Sequence, residues 1–432
     1  MQITVFPSKV KGVLHAPKSK SSMQRACAAA LLHRGITEIY EPGFSNDDLA
    51  ALDTIVKLGA EILSNTSEKI LIRSIGINPV SSEIHCGESG LGIRMFTPIA
   101  SLSDQPLRIS GSGSLVTRPM HFFDEIFPQL GISIQTLNGK LPLDIKGPLK
   151  PANITVDGSL SSQFLTGLLM AYSAAEASDV TITVNNLTSK PYIDLTLDVM
   201  KKFGMKIPEV KNFETFYFPS AANKASAENI AYTVEGDWSG GAFLLVAGAI
   251  AGGLKVKGLQ ADSTQADKAI LDALDNAGVK LNITENEIDV IPGVLKAFDF
   301  DATECPDLFP PLVALAAACD GQTTITGAKR LTHKESDRAT VLKEEFGKLG
   351  ILVELDGDLM HVHGGTQVHA AITHSHHDHR IAMAVAVAGL IADGPVVIED
   401  AQAVKKSYPE FYRHLVSAGV KVVEAVESNL IK

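Results

Sequence analysis

"SQFLTGLLMAYSAA" (Ser162–Ala175), followed by "VTITVNN" (Val180–Asn186) and by "LDVMKKFGMKI" (Leu197–Ile207), contains the unit from which the chain is built. The first segment is apolar on every face of a helix, which suits the interior of a domain. The second reads as a strand. The third is amphipathic, so it can cover a surface, and it ends at a small-residue turn on Gly204 that leads into another strand.

The same succession occurs six times. The amphipathic member recurs as "LDTIVKLGAEIL", "FDEIFPQLGISI", "LDVMKKFGMKI", "LDALDNAGVKL", "LKEEFGKLGILVEL" and "FYRHLVSAGVKVV". Its turn glycines, Gly59, Gly131, Gly204, Gly278, Gly350 and Gly419, are spaced about 70 residues apart. Upstream of each lies a more apolar helix and a strand, as in "MQRACAAALLH" with "TEIYEP" and "HRIAMAVAVAGLIADG" with "PVVIED". Three units per half predict two similar α/β domains with a boundary near "YTVEGDW" (Tyr232–Trp238), and 432 residues are more than one core usually serves.

The 45% hydrophobic and 20% charged composition is that of a soluble globular protein. A net charge of −11 argues against binding a nucleic-acid backbone. The apolar stretches Ala242–Leu254 and Ile381–Ala392 are shorter than the roughly 18 residues a membrane span needs. "MQITVFPSKVKG" lacks a signal-peptide core, so export is not indicated. Cys27, Cys86, Cys305 and Cys319 form no CxxC pair, which speaks against a disulfide framework or a thiolate zinc site and fits a reducing cytoplasm.

Polar side chains gather where the buried helices begin: Lys20, Ser21 and Arg25; Glu88, Gly90 and Arg94; Ser161, Ser162 and Gln163; Asp237; Asp307; His379 and Arg380. Helix N-termini suit anions. Capping accounts for Ser161, Ser162, Asp237 and Asp307 taken singly. Cations at that end oppose the helix dipole, so Lys20, Arg25, Arg94 and Arg380 point to an anionic ligand. In "LTHKESDR", Lys334 and Arg338 would share a face if the stretch is helical, with Glu335 and Asp337 relieving their repulsion or an anion bridging them. "GSGSLV" (Gly111–Val116) reads as a turn, because it lacks the third glycine of a dinucleotide loop. "ITHSHHDHRIAM" (Ile372–Met383) places four histidines and Asp378 within His374–His379; strand alternation there would separate neighbours and disfavour a metal site from His374, His376 and His377.

"PKSKSSMQR", "VDGSLSSQFLTGLLM", "TSKPYIDLTLDVM", "HKESDR", "HDHRIAMA" and "KKSYPEF" occur in an order and wording that resemble the 5-enolpyruvylshikimate-3-phosphate synthase family over nearly the whole chain. The resemblance implies a two-domain inside-out α/β barrel, each domain made of three βαβαββ repeats. Residues 17–235 would form the first domain and residues 1–16 with 236–432 the second, with the active site in the cleft between them. The implied reaction joins phosphoenolpyruvate to the 5-hydroxyl of shikimate 3-phosphate and releases phosphate, with no cofactor, metal, nucleic acid or membrane involved and a single chain acting alone.

By position, Lys20, Gly90, Arg118, Gln163, Arg338, Arg380 and Lys406 resemble the phosphoenolpyruvate site. Lys20, Ser21, Arg25, Ser161, Ser162, Gln163, Ser189, Tyr192, Asp307 and Lys334 resemble the shikimate 3-phosphate site. Asp307 would act as base and Glu335 as acid, with Lys20 as a third catalytic group. Glu88, Leu91, Met95 and Arg330 depart from the residues usual in the family (asparagine, threonine, proline and asparagine). A sister enzyme that uses UDP-N-acetylglucosamine usually has asparagine after the active-site lysine and a cysteine five residues before the arginine-proline pair; Ser21 and Gly113 stand there instead. A non-catalytic or RNA-end-processing relative would have no use for this set of cations and carboxylates.

Overall fold

The computed structural model describes residues 1–220, 229–332 and 334–425. The chain forms two compact units, Met1–Pro17 with Gly236–Lys432, and Lys18–Glu235.

Each unit contains three four-stranded sheets of one topology. Ile154–Asp157 pairs in parallel with Val180–Asn185, which pairs antiparallel with Thr215–Phe218, itself antiparallel to Glu209–Lys211. The parallel pair requires a crossover, and the apolar helix Ser162–Ala174 supplies it. The amphipathic helix Lys190–Lys202 then leads to the antiparallel pair. This is the βαβαββ repeat that the resemblance implies. The sheets stay four-stranded and separate, so among the described residues no barrel closes through continuous strand pairing.

Both units finish a sheet with a strand distant in sequence. Asn229–Thr233 pairs in parallel with Gly35–Tyr40. In the other unit, Gln2–Val5 lies antiparallel between Val396–Glu399 and Val422–Glu424, while Val13–His15 pairs in parallel with Leu254–Lys257.

The crossover helices are interior. Every residue of Gly90–Ala100 and of His379–Ala388 is buried, as is every residue of Trp238–Ala251 except Ile250. The helices Asn46–Lys57 and Lys190–Lys202 bury one side only. All six turn glycines take positive φ, from 65° at Gly204 to 113° at Gly59, a conformation in which a Cβ is strained. The second amphipathic segment departs from a regular helix: His121–Ile126 passes into a 3-10 turn, Phe127–Leu130, at Pro128, which has no N–H to continue the ladder.

Gly167 sets the approach of two interior helices. A Cβ there would lie 2.6 Å from the Met95 carbonyl oxygen, so only glycine lets Ser162–Ala174 pack this closely on Gly90–Ala100. The contact brings the starts of both helices together, and with them their polar residues.

Candidate active site

In the unit Lys18–Glu235, Ser19 caps the helix Lys20–Leu32, its hydroxyl accepting from the Ser22 N–H, and Lys20 follows at the first position. The Lys20 ammonium is 2.9 Å from Asp47 Oδ2, a carboxylate that offsets the unfavourable helix dipole. Gln163 lies just inside the helix capped by Ser161, with Ser162 buried beside it. Arg94, one turn into its own helix, donates to Gln163 Oε1 at 2.9 Å and stacks over Phe164. Gly90 backs onto the same place: a Cβ would lie 2.7 Å from Arg118 Nη1 and 3.7 Å from Gln163 Oε1. Gly90, Arg118 and Gln163 thus share one cationic corner with Arg94. Arg118 follows a single 3-10 turn, Gly113–Thr117, and donates to Ser114 Oγ. Gly113 has φ +59°, and a Cβ would fall 2.4 Å from the Glu88 carboxyl carbon, so Glu88 fills the space a side chain at 113 would need.

Arg25 is 1% exposed, and among the described residues its hydrogen-bond partners are neutral oxygens. Nε donates to Thr196 Oγ1 at 2.9 Å, Nη1 to the Ser21 carbonyl at 2.9 Å, and Nη2 to the Tyr192 carbonyl at 3.3 Å. Burial pulls this guanidinium down to about 10. Ser21 and Tyr192 are therefore brought to Arg25 by their backbones. Ser189, buried at φ +57°, precedes the helix that carries Tyr192.

The other unit assembles the remaining candidate residues into an ion network. Asp307 lies in a 3-10 turn, Pro306–Leu308, ahead of the helix Phe309–Ala317, and its carboxylate does not cap that helix. It accepts instead from Arg338 Nη1 at 2.8 Å, Lys334 Nζ at 3.2 Å and Arg380 Nη2 at 3.2 Å. The capping explanation holds for Ser161 and Asp237 but fails for Asp307, because three cations compete for its oxygens. Burial alone would raise its pKa; Arg380, Lys334 and Arg338 outweigh burial and hold it well below the usual carboxylate range.

Arg338 is completely buried. It donates to Asp378 from Nε at 2.9 Å and from Nη2 at 3.2 Å, and to Glu335 Oε2 at 2.7 Å. Burial opposes its charge, but Asp378, Glu335 and Asp307 together raise its pKa. Lys406 Nζ stands 4.0 Å from Glu335 Oε1. The helix of "LTHKESDR" begins only at Arg338, so Lys334 and Arg338 do not share a helical face. They meet through space on Asp307, and attraction to that carboxylate replaces the repulsion that helical spacing implied.

The histidine-rich stretch is a turn for most of its length. The strand Ile372–His374 ends, and His376 and His377 take φ of 53° and 58°. Asp378 caps the helix His379–Ala388 through the Arg380 N–H, placing Arg380 against Asp307. His379 is fully buried, with Nδ1 3.8 Å from Asp378 Oδ1. His376 Nε2 is 2.6 Å from Glu345, and with Glu344 these make a trio of metal-ligand type, but the Lys348 ammonium already sits 2.7 Å from the same Glu345 oxygen.

The model of the EPSP synthase (3-phosphoshikimate 1-carboxyvinyltransferase) family matches residues 6–415. The chain belongs to that family. A 3-phosphoshikimate 1-carboxyvinyltransferase from Clostridium novyi is 35% identical over 426 residues, covering 96% of this chain and 97% of that one. The enzyme of the same name from Clostridium kluyveri is 35% identical over 422 residues, with 98% of each chain covered. An EPSP synthase structure from Acinetobacter baumannii superposes with a TM-score of 0.80 at 25% identity over 98% of this chain and 100% of that one. Fold class and membership agree with the reading of the six motifs, and these names favour the shikimate acceptor over the sugar-nucleotide alternative.

Several participants escaped the sequence reading. Asp47 and Glu345 carry no motif signal of their own as partners, because the residues they hold lie 27 and 31 positions away; Asp378 lies within a quoted motif, but its bond to Arg338, 40 positions away, is not announced there. Arg330, one of the departures from the family pattern, donates to the Thr303 carbonyl and so anchors the segment ahead of Asp307. Among the described residues, no helix is long and apolar enough to cross a membrane.

Proposed function

We propose that the chain transfers the enolpyruvyl group of phosphoenolpyruvate to the 5-hydroxyl of shikimate 3-phosphate, releasing phosphate by addition and elimination, as a cytoplasmic monomer. The two substrates carry two phosphates and two carboxylates, and the proposed ligands include many cations and hydrogen-bond donors. Lys20, Gly90, Arg118, Gln163, Arg338, Arg380 and Lys406 take phosphoenolpyruvate. Lys20, Ser21, Arg25, Ser161, Ser162, Gln163, Ser189, Tyr192, Asp307 and Lys334 take shikimate 3-phosphate. Four free, buried cysteines fit a reducing compartment.

The observation that carries this reading is the Asp307–Glu335 pair bridged by Arg338 at 2.8 and 2.7 Å. Addition needs a base for the 5-hydroxyl and an acid for the methylene carbon, and a carboxylate pair among cations can divide those tasks. Asp307, held strongly ionised, takes the hydroxyl proton. An incoming phosphate that draws Arg380 or Lys334 toward itself leaves Asp307 a stronger base, so binding of the acid substrate primes the base. Glu335, 13% exposed and flanked by Arg338 and Lys406, delivers a proton to the methylene carbon and recovers one during elimination. Lys20 neutralises charge on either substrate.

Phosphate release from phosphoenolpyruvate tests the proposal, measured with shikimate 3-phosphate, with UDP-N-acetylglucosamine and with neither. Release that requires shikimate 3-phosphate supports it. Release that requires the sugar nucleotide, or none from folded protein with either acceptor, overturns it.

A further inference from the structure

We infer that Glu345 and Asp400 are positioning residues for phosphoenolpyruvate binding, holding the His374–His377 turn as a clasp between the three elements that carry Arg338, Arg380 and Lys406. The inference rests on the phosphoenolpyruvate roles proposed above for those cations.

Glu345 lies two turns along the helix that Arg338 opens, Arg338–Lys348, and its side chain is fully buried. One oxygen accepts from the His374 N–H at 2.9 Å; the other takes Lys348 Nζ at 2.7 Å and His376 Nε2 at 2.6 Å. Asp400 stands immediately before the 3-10 segment Ala401–Lys406, which ends on Lys406. Its Oδ2 accepts from Ser375 Oγ at 2.7 Å and the His377 N–H at 3.0 Å, and lies 2.7 Å from His377 Nδ1. Directly after the turn, Asp378 binds Arg338 twice and caps the helix of Arg380.

Each carboxylate therefore fastens the turn to a different cation-bearing element, and the residue that follows the turn, Asp378, holds the Arg338 guanidinium and caps the helix of Arg380. Lys348 alone would neutralise Glu345; the oxygen given to the His374 N–H fixes the turn instead. Left-handed backbone at His376, His377 and Asp400 is disfavoured for residues with a Cβ and persists where surrounding contacts enforce it. His376 and His377 supply side chains long enough to reach the two carboxylates. The histidines of this stretch thus act as ties within the clasp. Loss of either tie lets the cations drift from the geometry an anion requires, and misplacement by about 1 Å is costly.

The test is steady-state kinetics of Glu345→Gln and Asp400→Asn, with both KM values measured beside thermal stability. The clasp predicts that KM for phosphoenolpyruvate rises about tenfold or more in each variant, while KM for shikimate 3-phosphate stays within about twofold. In a Lys406→Ala background, Asp400→Asn should then add much less than its separate effect, since both act through the same cation. His376→Asn, which tolerates positive φ but cannot reach Glu345, gives the same split if Glu345→Gln fails to fold. Equal rises in both KM values, or a lower Tm with unchanged kinetics, overturn the clasp. Arg380→Ala serves as the control. If it leaves KM for phosphoenolpyruvate unchanged, the underlying ligand assignment fails; if it raises that KM while the clasp variants do not, only the clasp fails.

Discussion

Among the described residues, Arg25 and Arg338 are the two most deeply buried arginines, and they are handled in opposite ways. Arg338 is gripped by Asp307, Glu335 and Asp378, and its charge is reinforced. Arg25 is held by hydroxyl and carbonyl oxygens, and burial drives it down to about 10. A buried guanidinium among neutral oxygens leaves electrostatic stabilisation for an arriving anion to supply, whereas one matched by three carboxylates is already committed. The first arrangement leaves its charge to be matched by a ligand, and the second couples any anion that reaches Arg338 to the carboxylates it already holds.

Glu335→Gln should break the second arrangement most severely. Turnover falls by about 10²–10⁴, because a proton donor is lost, while calorimetric affinity for shikimate 3-phosphate stays within about twofold. Unchanged turnover would leave Glu335 as a counter-ion of Arg338 only.

Arg338→Met and Arg25→Met sharpen the contrast through stability. Removing Arg338 strips buried Asp378 of its guanidinium, so urea unfolding without ligand should show a loss of about 3–5 kcal/mol. Removing Arg25 exposes no carboxylate and should cost about 1 kcal/mol or less. Similar losses in both would erase the distinction.

A smaller effect concerns Asp48, whose carboxyl burial pushes up to about 7 despite hydrogen bonds from Ser45. An unfolded aspartate titrates near about 3.9, so between those values the folded chain holds a proton the unfolded chain has released. Stability contributed by this site therefore falls as pH rises from about 4 to about 7. Asp48→Asn should gain a few kcal/mol over the parent at pH 8, and little at pH 3, in denaturant titrations. A gain independent of pH would show that Asp48 is not protonated in the fold.

The repeats were legible because each is written in short-range terms: an all-apolar helix, a strand, an amphipathic helix and a glycine that must take positive φ. The site residues proposed here rest on motif resemblance, and the charge anomalies at helix starts drew attention to Lys20, Arg25, Arg94 and Arg380 without it. Their partners were not legible. Arg94 meets Gln163 across 69 residues only because Gly167 lets two helices approach, and no local pattern announces such a pair. Asp307 has the position of a capping residue, and only three cations arriving from elsewhere give it another task. The histidines misled in the same way: alternation presumes a strand, and the chain turns there to reach Glu345 and Asp400.

The most direct test of the account measures both KM values in Arg25→Met and in Arg380→Met. The account predicts that Arg25→Met raises KM for shikimate 3-phosphate by at least tenfold and leaves that for phosphoenolpyruvate within about twofold, and that Arg380→Met does the reverse. A matching rise in both KM values for either variant would contradict the assignment of Arg25 and Arg380 to different substrates.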